Sequence, residues 1–126
     1  MKTYTSWIFV GLAVVAIIGS MIWYSSRPGE YDGFATCIKD SGATFFGAFW
    51  CPHCQEQKAL FGRSAKALPY HECSTPDGQA QLESCIDEKI ETYPTWKFKD
   101  GTIKKGVVSM SELSSLTSCP MVKDVK

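Results

Sequence analysis

A continuous apolar and aromatic run, Ala43 to Phe49, leads directly into Trp50-Cys51-Pro52-His53-Cys54, and a helical pattern follows. Few arrangements accept that order. The run reads as a strand buried on both faces, and it must turn at once into a helix carrying two thiols on its first turn. Pro52 suits that turn, because its missing N–H would be unpaired there anyway. Cys51 then stands at the helix N-terminus, where free N–H groups and the helix dipole favour a thiolate over a thiol. His53, once protonated, would set a cation beside it. Both effects make Cys51 a better leaving group in a disulfide. The spacing therefore points to thiol–disulfide exchange, in a pair that prefers to be reduced and so oxidises other thiols. A structural disulfide or half of a zinc site are the plainer readings of two cysteines so placed.

From Pro52 to about Leu68, Cys54, Phe61, Ala65 and Leu68 share one stripe of a 3.6-residue period. This puts Cys54 on the inward face and leaves Cys51 at the exposed helix start. The expected roles follow: Cys51 attacks or is attacked, and Cys54 resolves the mixed disulfide.

The chain has 126 residues, with 13 basic and 13 acidic side chains. That balance offers no basic patch for nucleic acid. Six cysteines in so short a chain favour an oxidising compartment. Trp7 to Tyr24 holds 18 residues without a charge, enough to span a bilayer, with Trp7 and Trp23-Tyr24 at the two interfaces. Met21-Ile22-Trp23-Tyr24 is a poor cleavage context, so an uncleaved anchor is expected rather than a signal peptide. Lys2 on one side and Arg27 on the other hardly decide orientation. Cysteine usage places the following domain on the extracytoplasmic side of the cell membrane, periplasmic or extracellular. The expected organisation is a short segment 1–6, a transmembrane signal-anchor 7–24, a polar linker 25–31, a domain 32–120 and a tail 121–126.

Within the domain, Asp32 reads as the N-cap of a helix with Phe34, Cys37 and Ile38 on one face, closed by Gly42. Tyr70 to Cys73 reads as a weaker strand in which His71 packs or lies half-exposed. Thr75-Pro76-Asp77 reads as opening a helix with Leu82, Cys85 and Ile86 on its apolar side. Thr95 to Lys99 alternates as a strand, and Asp100-Gly101 signals a hairpin into Thr102 to Val108. Lys97, Lys99, Lys104 and Lys105 would form its solvated face. Ser109-Met110-Ser111-Glu112 has the form of a capping box for a last helix with Leu113 and Leu116. Trp50 is expected to lie exposed beside the redox pair, shielding it and touching substrate.

The order α-β-α-β-α-β-β-α, with the redox pair at the end of the first strand, resembles the thioredoxin fold over roughly Gly33 to Cys119. The fold class is thus α/β: a mixed central sheet of about four strands, flanked by helices, after an N-terminal transmembrane helix. Gly47 to Gln55, Leu60-Phe61-Gly62, Glu72-Cys73 and Tyr93-Pro94-Thr95-Trp96 resemble the thioredoxin-like domains associated with vitamin K epoxide reductase (VKOR) homologues. The Cys-Pro-His-Cys tetrad is also that of the periplasmic Dsb-type oxidants. The resemblance implies a cis Pro94, with Tyr93, Pro94 and Thr95 along a substrate groove that offers backbone hydrogen bonds to an extended peptide. It also implies partners: secreted or exported proteins with thiols, and a VKOR-like or other quinone-linked membrane oxidase. No cofactor and no metal are implied. One position departs from the pattern. Thioredoxins carry a buried acid six residues before the first active cysteine, and here that residue is Phe45, so proton transfer at Cys54 needs another route.

Four cysteines remain, with three pairings open. Cys73 and Cys85 flank one short loop, where the related domains carry cysteines; Cys37 and Cys119 would then pair. Each has the alternative of a buried free thiol. Two other functions compete with an oxidant. One is an anchored reductase or isomerase of the same fold. The other is a non-catalytic module holding zinc on Cys51, Cys54, Cys73 and Cys85, although four-thiolate sites usually come as two close pairs.

Overall fold

The computed structural model describes residues 2–124. Helix α1 (Lys2–Ser25) comes first, and within it Tyr4–Ser25 is long and apolar enough to cross a membrane. Residues 2–6 of the expected N-terminal segment are helical and continuous with the apolar span, and Met1 lies outside the described residues. At the end of the linker the Tyr31 N–H donates to Ser64 Oγ at 2.8 Å.

Helix α2 (Asp32–Asp40) buries Phe34, Ala35 and Ile38. Tyr31, not Asp32, is its N-cap; the Asp32 carboxylate instead accepts the Gly29 N–H at 3.0 Å. Gly42, with φ of +85°, takes the chain out of this helix. Strand β1 (Thr44–Gly47) follows and is shorter than the apolar run, because the backbone turns from Ala48, whose carbonyl accepts the Cys51 N–H at 3.0 Å. Helix α3 (Pro52–Phe61) ends at Gly62 rather than running to Leu68; Gly62 has φ of +54°, and a 3-10 stretch continues over Gly62–Ala67.

Strand β2 (Tyr70–Glu72) leads into the largest departure from expectation. No helix opens at Thr75-Pro76-Asp77; helix α4 is only Glu83–Asp87, and Ile86 is exposed. Turn chemistry wins here. Thr75 Oγ1 donates to Asp77 Oδ1 at 2.5 Å and accepts the Ala80 N–H at 3.1 Å, and the Gly78 N–H donates to the Thr75 carbonyl. Side chains that bond to nearby backbone compete with helix formation.

Strands β3 (Thr95–Lys97) and β4 (Ile103–Lys105) form the hairpin, and helix α5 (Met110–Thr117) closes the fold. Strand β4 falls short of Val108, ending before Gly106 at φ of +89°. Ser109 Oγ accepts the Glu112 N–H at 3.2 Å, but the Glu112 carboxylate pairs with Lys104 instead of completing the box. Lys97 and Lys105 likewise pair with Glu88 and Glu91.

The sheet order is β2-β1-β3-β4, with β1 and β2 parallel and the other pairs antiparallel. Successive strand residues face opposite sides, and β1 uses both. Phe45 stacks on Trp96 at 4.8 Å in a core with Phe34, Ile38, Phe61 and Leu113. Phe46 packs instead with Cys73, Cys85 and Ile90. This is a mixed α/β architecture of thioredoxin-like type.

Two disulfides tie the periphery. Cys37–Cys119 joins α2 to the chain end with Cα atoms 5.8 Å apart, and Cys73–Cys85 brackets the 74–82 turn at 5.6 Å. In the tail, the Asp124 carboxylate accepts the Gly33 N–H and Lys123 pairs with Glu30. Residues 125–126 lie outside the described residues. The bridges span 82 and 12 residues, so loop entropy assigns about 4–5 kcal/mol to the longer and about 3 kcal/mol to the shorter. Replacing Cys37 and Cys119 together by alanine should lower stability in urea more than replacing Cys73 and Cys85 together.

Candidate active site

Strand β1 ends at Gly47, and the chain reaches the helix in four residues. Those residues are clamped. The Phe49 N–H donates to Glu72 Oε1 at 3.2 Å, and the Phe49 carbonyl accepts from Gln55 Nε2 at 2.9 Å. Trp50 Nε1 donates to Ser74 Oγ at 2.9 Å, and its ring meets Tyr93 edge-on at 6.0 Å. Trp50 is 52% exposed.

Cys51 is the N-cap of α3, and its Sγ accepts the Cys54 N–H at 3.4 Å. An N–H of the first helical turn is thus aimed at the sulfur. The Tyr93 carbonyl lies 3.7 Å from the same sulfur, at the cis Tyr93–Pro94 peptide. The sequence leaves Cys51 exposed; in the structure it is only 5% exposed, with Tyr93 packed against its sulfur. Pro52 occupies the first turn as the residue type dictates. His53 turns outward, with Nδ1 3.4 Å from Glu56 Oε2 on the solvent side.

Cys54 is fully buried. Burial, and then its hydrogen bond to Cys51, push its thiol up to about 12, while the Ala48 backbone and the Lys58 charge act the other way. Both cysteines are free. Cys54 thus keeps its proton where Cys51 is offered a donor, a division of labour suited to attack by one sulfur and resolution by the other.

The comparisons with known proteins agree with this chemistry. Over 85 residues, 64% of this chain, the sequence is 46% identical to thiol-disulfide oxidoreductase LTO1 of Arabidopsis thaliana. The chain spans 22% of the length of that relative. No protein-family model matches the chain. The likeness is to a thiol–disulfide oxidoreductase.

The remaining candidate residues divide. Pro94 and Thr95 are buried; the Thr95 hydroxyl donates to the Thr92 carbonyl at 2.7 Å, and the Pro94 carbonyl accepts the Gly106 N–H. Tyr93 and Trp50 are therefore the members of that set with surface to offer. They line a cleft of about 220 Å³ with Ser74, Gly78 and Gln81. Cys73 and Cys85 are bridged to each other, which removes two of the four thiolates a zinc site would need. Among the described residues, no three His, Cys, Asp or Glu side chains cluster as metal ligands.

Sequence reasoning assigned no site role to Gln57, Lys58, Tyr70 or Glu72, although Glu72 lies in a motif that carries the resemblance. Gln57 is buried and joins α3 to two other elements: its Oε1 accepts the Val108 N–H and Trp96 Nε1, and its Nε2 donates to the Val108 carbonyl. Lys58 lies four residues after Cys54, the spacing of a shared helix face, which is the signal that could have found it.

A thiol pushed up to about 12 is ionised to about 0.01% at pH 8, roughly a thousandfold less than at the usual 9.0. Iodoacetamide at pH 8 should therefore label Cys51 alone in the reduced protein. Peptide mapping that found Cys54 modified at a comparable rate would contradict the burial and proton retention described.

Proposed function

We propose that this protein is a membrane-anchored thiol–disulfide oxidoreductase that donates its Cys51–Cys54 disulfide to exported proteins. The observation that carries the reading is the asymmetry within one Cys-x-x-Cys pair: Cys51 caps a helix and faces the Tyr93 carbonyl, while Cys54 is sealed beneath it and holds its proton. Likeness over 64% of the chain to a thiol-disulfide oxidoreductase supports the class.

In the reaction, a substrate thiolate attacks Cys51 Sγ and the Cys51–Cys54 bond breaks. Cys54 leaves as thiolate and takes a proton. A second substrate thiolate then attacks the sulfur bound to Cys51, forming the substrate disulfide and releasing the Cys51 thiolate. The protein gains two electrons, and an external oxidant must remove them. A VKOR-like or other quinone-linked membrane oxidase fits that need, and helix α1 would hold the domain beside it. Two further disulfides support an extracytoplasmic domain. The Trp50–Tyr93 cleft supports contact with an extended segment of a thiol-bearing substrate.

Equilibration of the full-length protein in detergent against a glutathione series tests the direction of flow. The reduction potential should lie near about −120 mV, as for a disulfide donor. A value near about −270 mV would make the same centre a reductase, and absence of any two-electron couple would sink the enzyme reading. Cys54→Ser should trap mixed disulfides with substrates, and Cys51→Ser should not.

A further inference from the structure

A buried thiol that must become a thiolate needs a base to take its proton or a cation to stabilise its charge, and the acid that the resemblance leads one to expect as the base is replaced by Phe45. The wall of the Cys54 pocket supplies a different group. A Cβ added at Gly47 would lie 2.9 Å from Cys54 Sγ and 2.9 Å from Tyr70 Cε2, so sulfur and ring flank the same backbone position. Lys58 Nζ sits 3.5 Å from the centroid of that ring, the geometry of a cation–π contact. The ring is itself fixed, because Tyr70 Oη donates to Glu72 Oε2 at 2.7 Å. Glu72 Oε1 is already occupied by the Phe49 and Ser74 N–H groups. None of the ion pairs among the described residues involves Lys58.

We propose that Lys58, seated on the Tyr70 ring beside Cys54, is the cation that stabilises the Cys54 thiolate when that sulfur attacks or leaves. This inference rests on the oxidoreductase reading and adds a residue to its site. Lys58 acts through Cys54 and touches no substrate. Its charge lowers the pKa of the Cys54 thiol, against burial and the Cys51 hydrogen bond. The groups facing Cys54 are Cys51 from the preceding loop, Lys58 from its own helix, Tyr70 with Glu72 behind it from β2, and Tyr93 across the cleft. Tyr70, raised by burial and by Glu72, stays neutral and presents its ring rather than a charge.

The effect belongs on a rate. Cys54 is a thiol in the resting reduced protein, so the Lys58 charge leaves the equilibrium potential near neutral pH almost untouched. It matters in the second step of oxidation by glutathione disulfide. The first step joins one glutathione sulfur to Cys51 and releases a glutathione thiolate. In the second, Cys54 loses its proton to solvent and its thiolate attacks Cys51 Sγ. The Cys51–Cys54 bond forms, the Cys51–glutathione bond breaks, and the second glutathione leaves as thiolate and is protonated. A nearby cation favours the charged form of a thiol, by about one pKa unit at the lower end of the usual range. Loss of nucleophilicity returns roughly half of that on a logarithmic scale, leaving about a threefold gain.

Rapid-quench oxidation of the reduced full-length protein by glutathione disulfide resolves both steps by mass. Lys58→Met, which keeps an unbranched stem at a half-exposed position, should slow ring closure at pH 7 about threefold and leave Cys51 glutathionylation unchanged. Lys58→Arg should restore closure to within twofold of the original. A change under twofold in Lys58→Met, or equal slowing in both variants, would overturn the proposal, since the second result would implicate packing and not charge. Wild-type protein that never forms the Cys51 mixed disulfide would refute the oxidoreductase reading and this inference with it.

Discussion

Strand β1 is covered on both faces and paired on both edges, and this confinement places the redox pair. Phe45 is held against Trp96 on one side and Phe46 against the Cys73–Cys85 bridge on the other. The flanking strands register Phe45 with Tyr70 and with Trp96. Two large rings on opposite faces forbid a one-residue slip, because a slip would exchange the faces of the whole strand. The end of β1 is therefore a fixed point, and the chain leaves it at Gly47 with no side chain to interfere with Cys54.

Beyond β1 the chain is held by polar contacts, and each has a partner. Glu72 accepts from Phe49, Ser74 and Tyr70, so one carboxylate fixes the approach to Cys51, the start of the 74–82 turn and the ring beneath Lys58. Gln57 acts in the same way within α3, with its amide spent on Val108 and Trp96. Buried polar groups left without partners cost free energy, so these side chains are bound to the geometry they support. Exchanging either for an apolar residue would orphan backbone N–H groups and loosen the path that presents Cys51.

The features of this design that depend on period and position were legible in the sequence. The two-sided burial of β1, the turn into α3, the inward stripe of Cys54 and Phe61, and the hairpin at Asp100-Gly101 are all local patterns with a mechanism. The features it concealed depend on long-range contacts. Cys51 is at a helix start and yet buried, because the residue that covers it, Tyr93, lies 42 positions away. The Thr75–Gln81 segment follows turn chemistry rather than the helix signal of Thr-Pro-Asp, since Thr75 and Asp77 bond within the turn. Tyr70 and Glu72 read as ordinary strand residues, and only the parallel pairing of β2 with β1 brings them beside the cysteines.

These contacts separate two properties that a Cys-x-x-Cys pair must set independently. The equilibrium between dithiol and disulfide responds to whatever stabilises the reduced sulfurs, and in this chain first to the contacts of the one at the helix N-terminus. The rate of closing and opening the ring responds to the other sulfur, which is a thiol at rest and a thiolate only in passage. In this chain the first is governed by the Cys54 N–H and the turn around Cys51. The second is governed by burial, opposed by Lys58 seated on the Tyr70 ring. A buried acid near the resolving cysteine would place a negative charge where a second negative charge must form. Phe45 at that position removes the conflict and stacks on Trp96 instead. Phe45 belongs to the core, and a lysine, reached from the helix side, is left as the charge the sulfur meets.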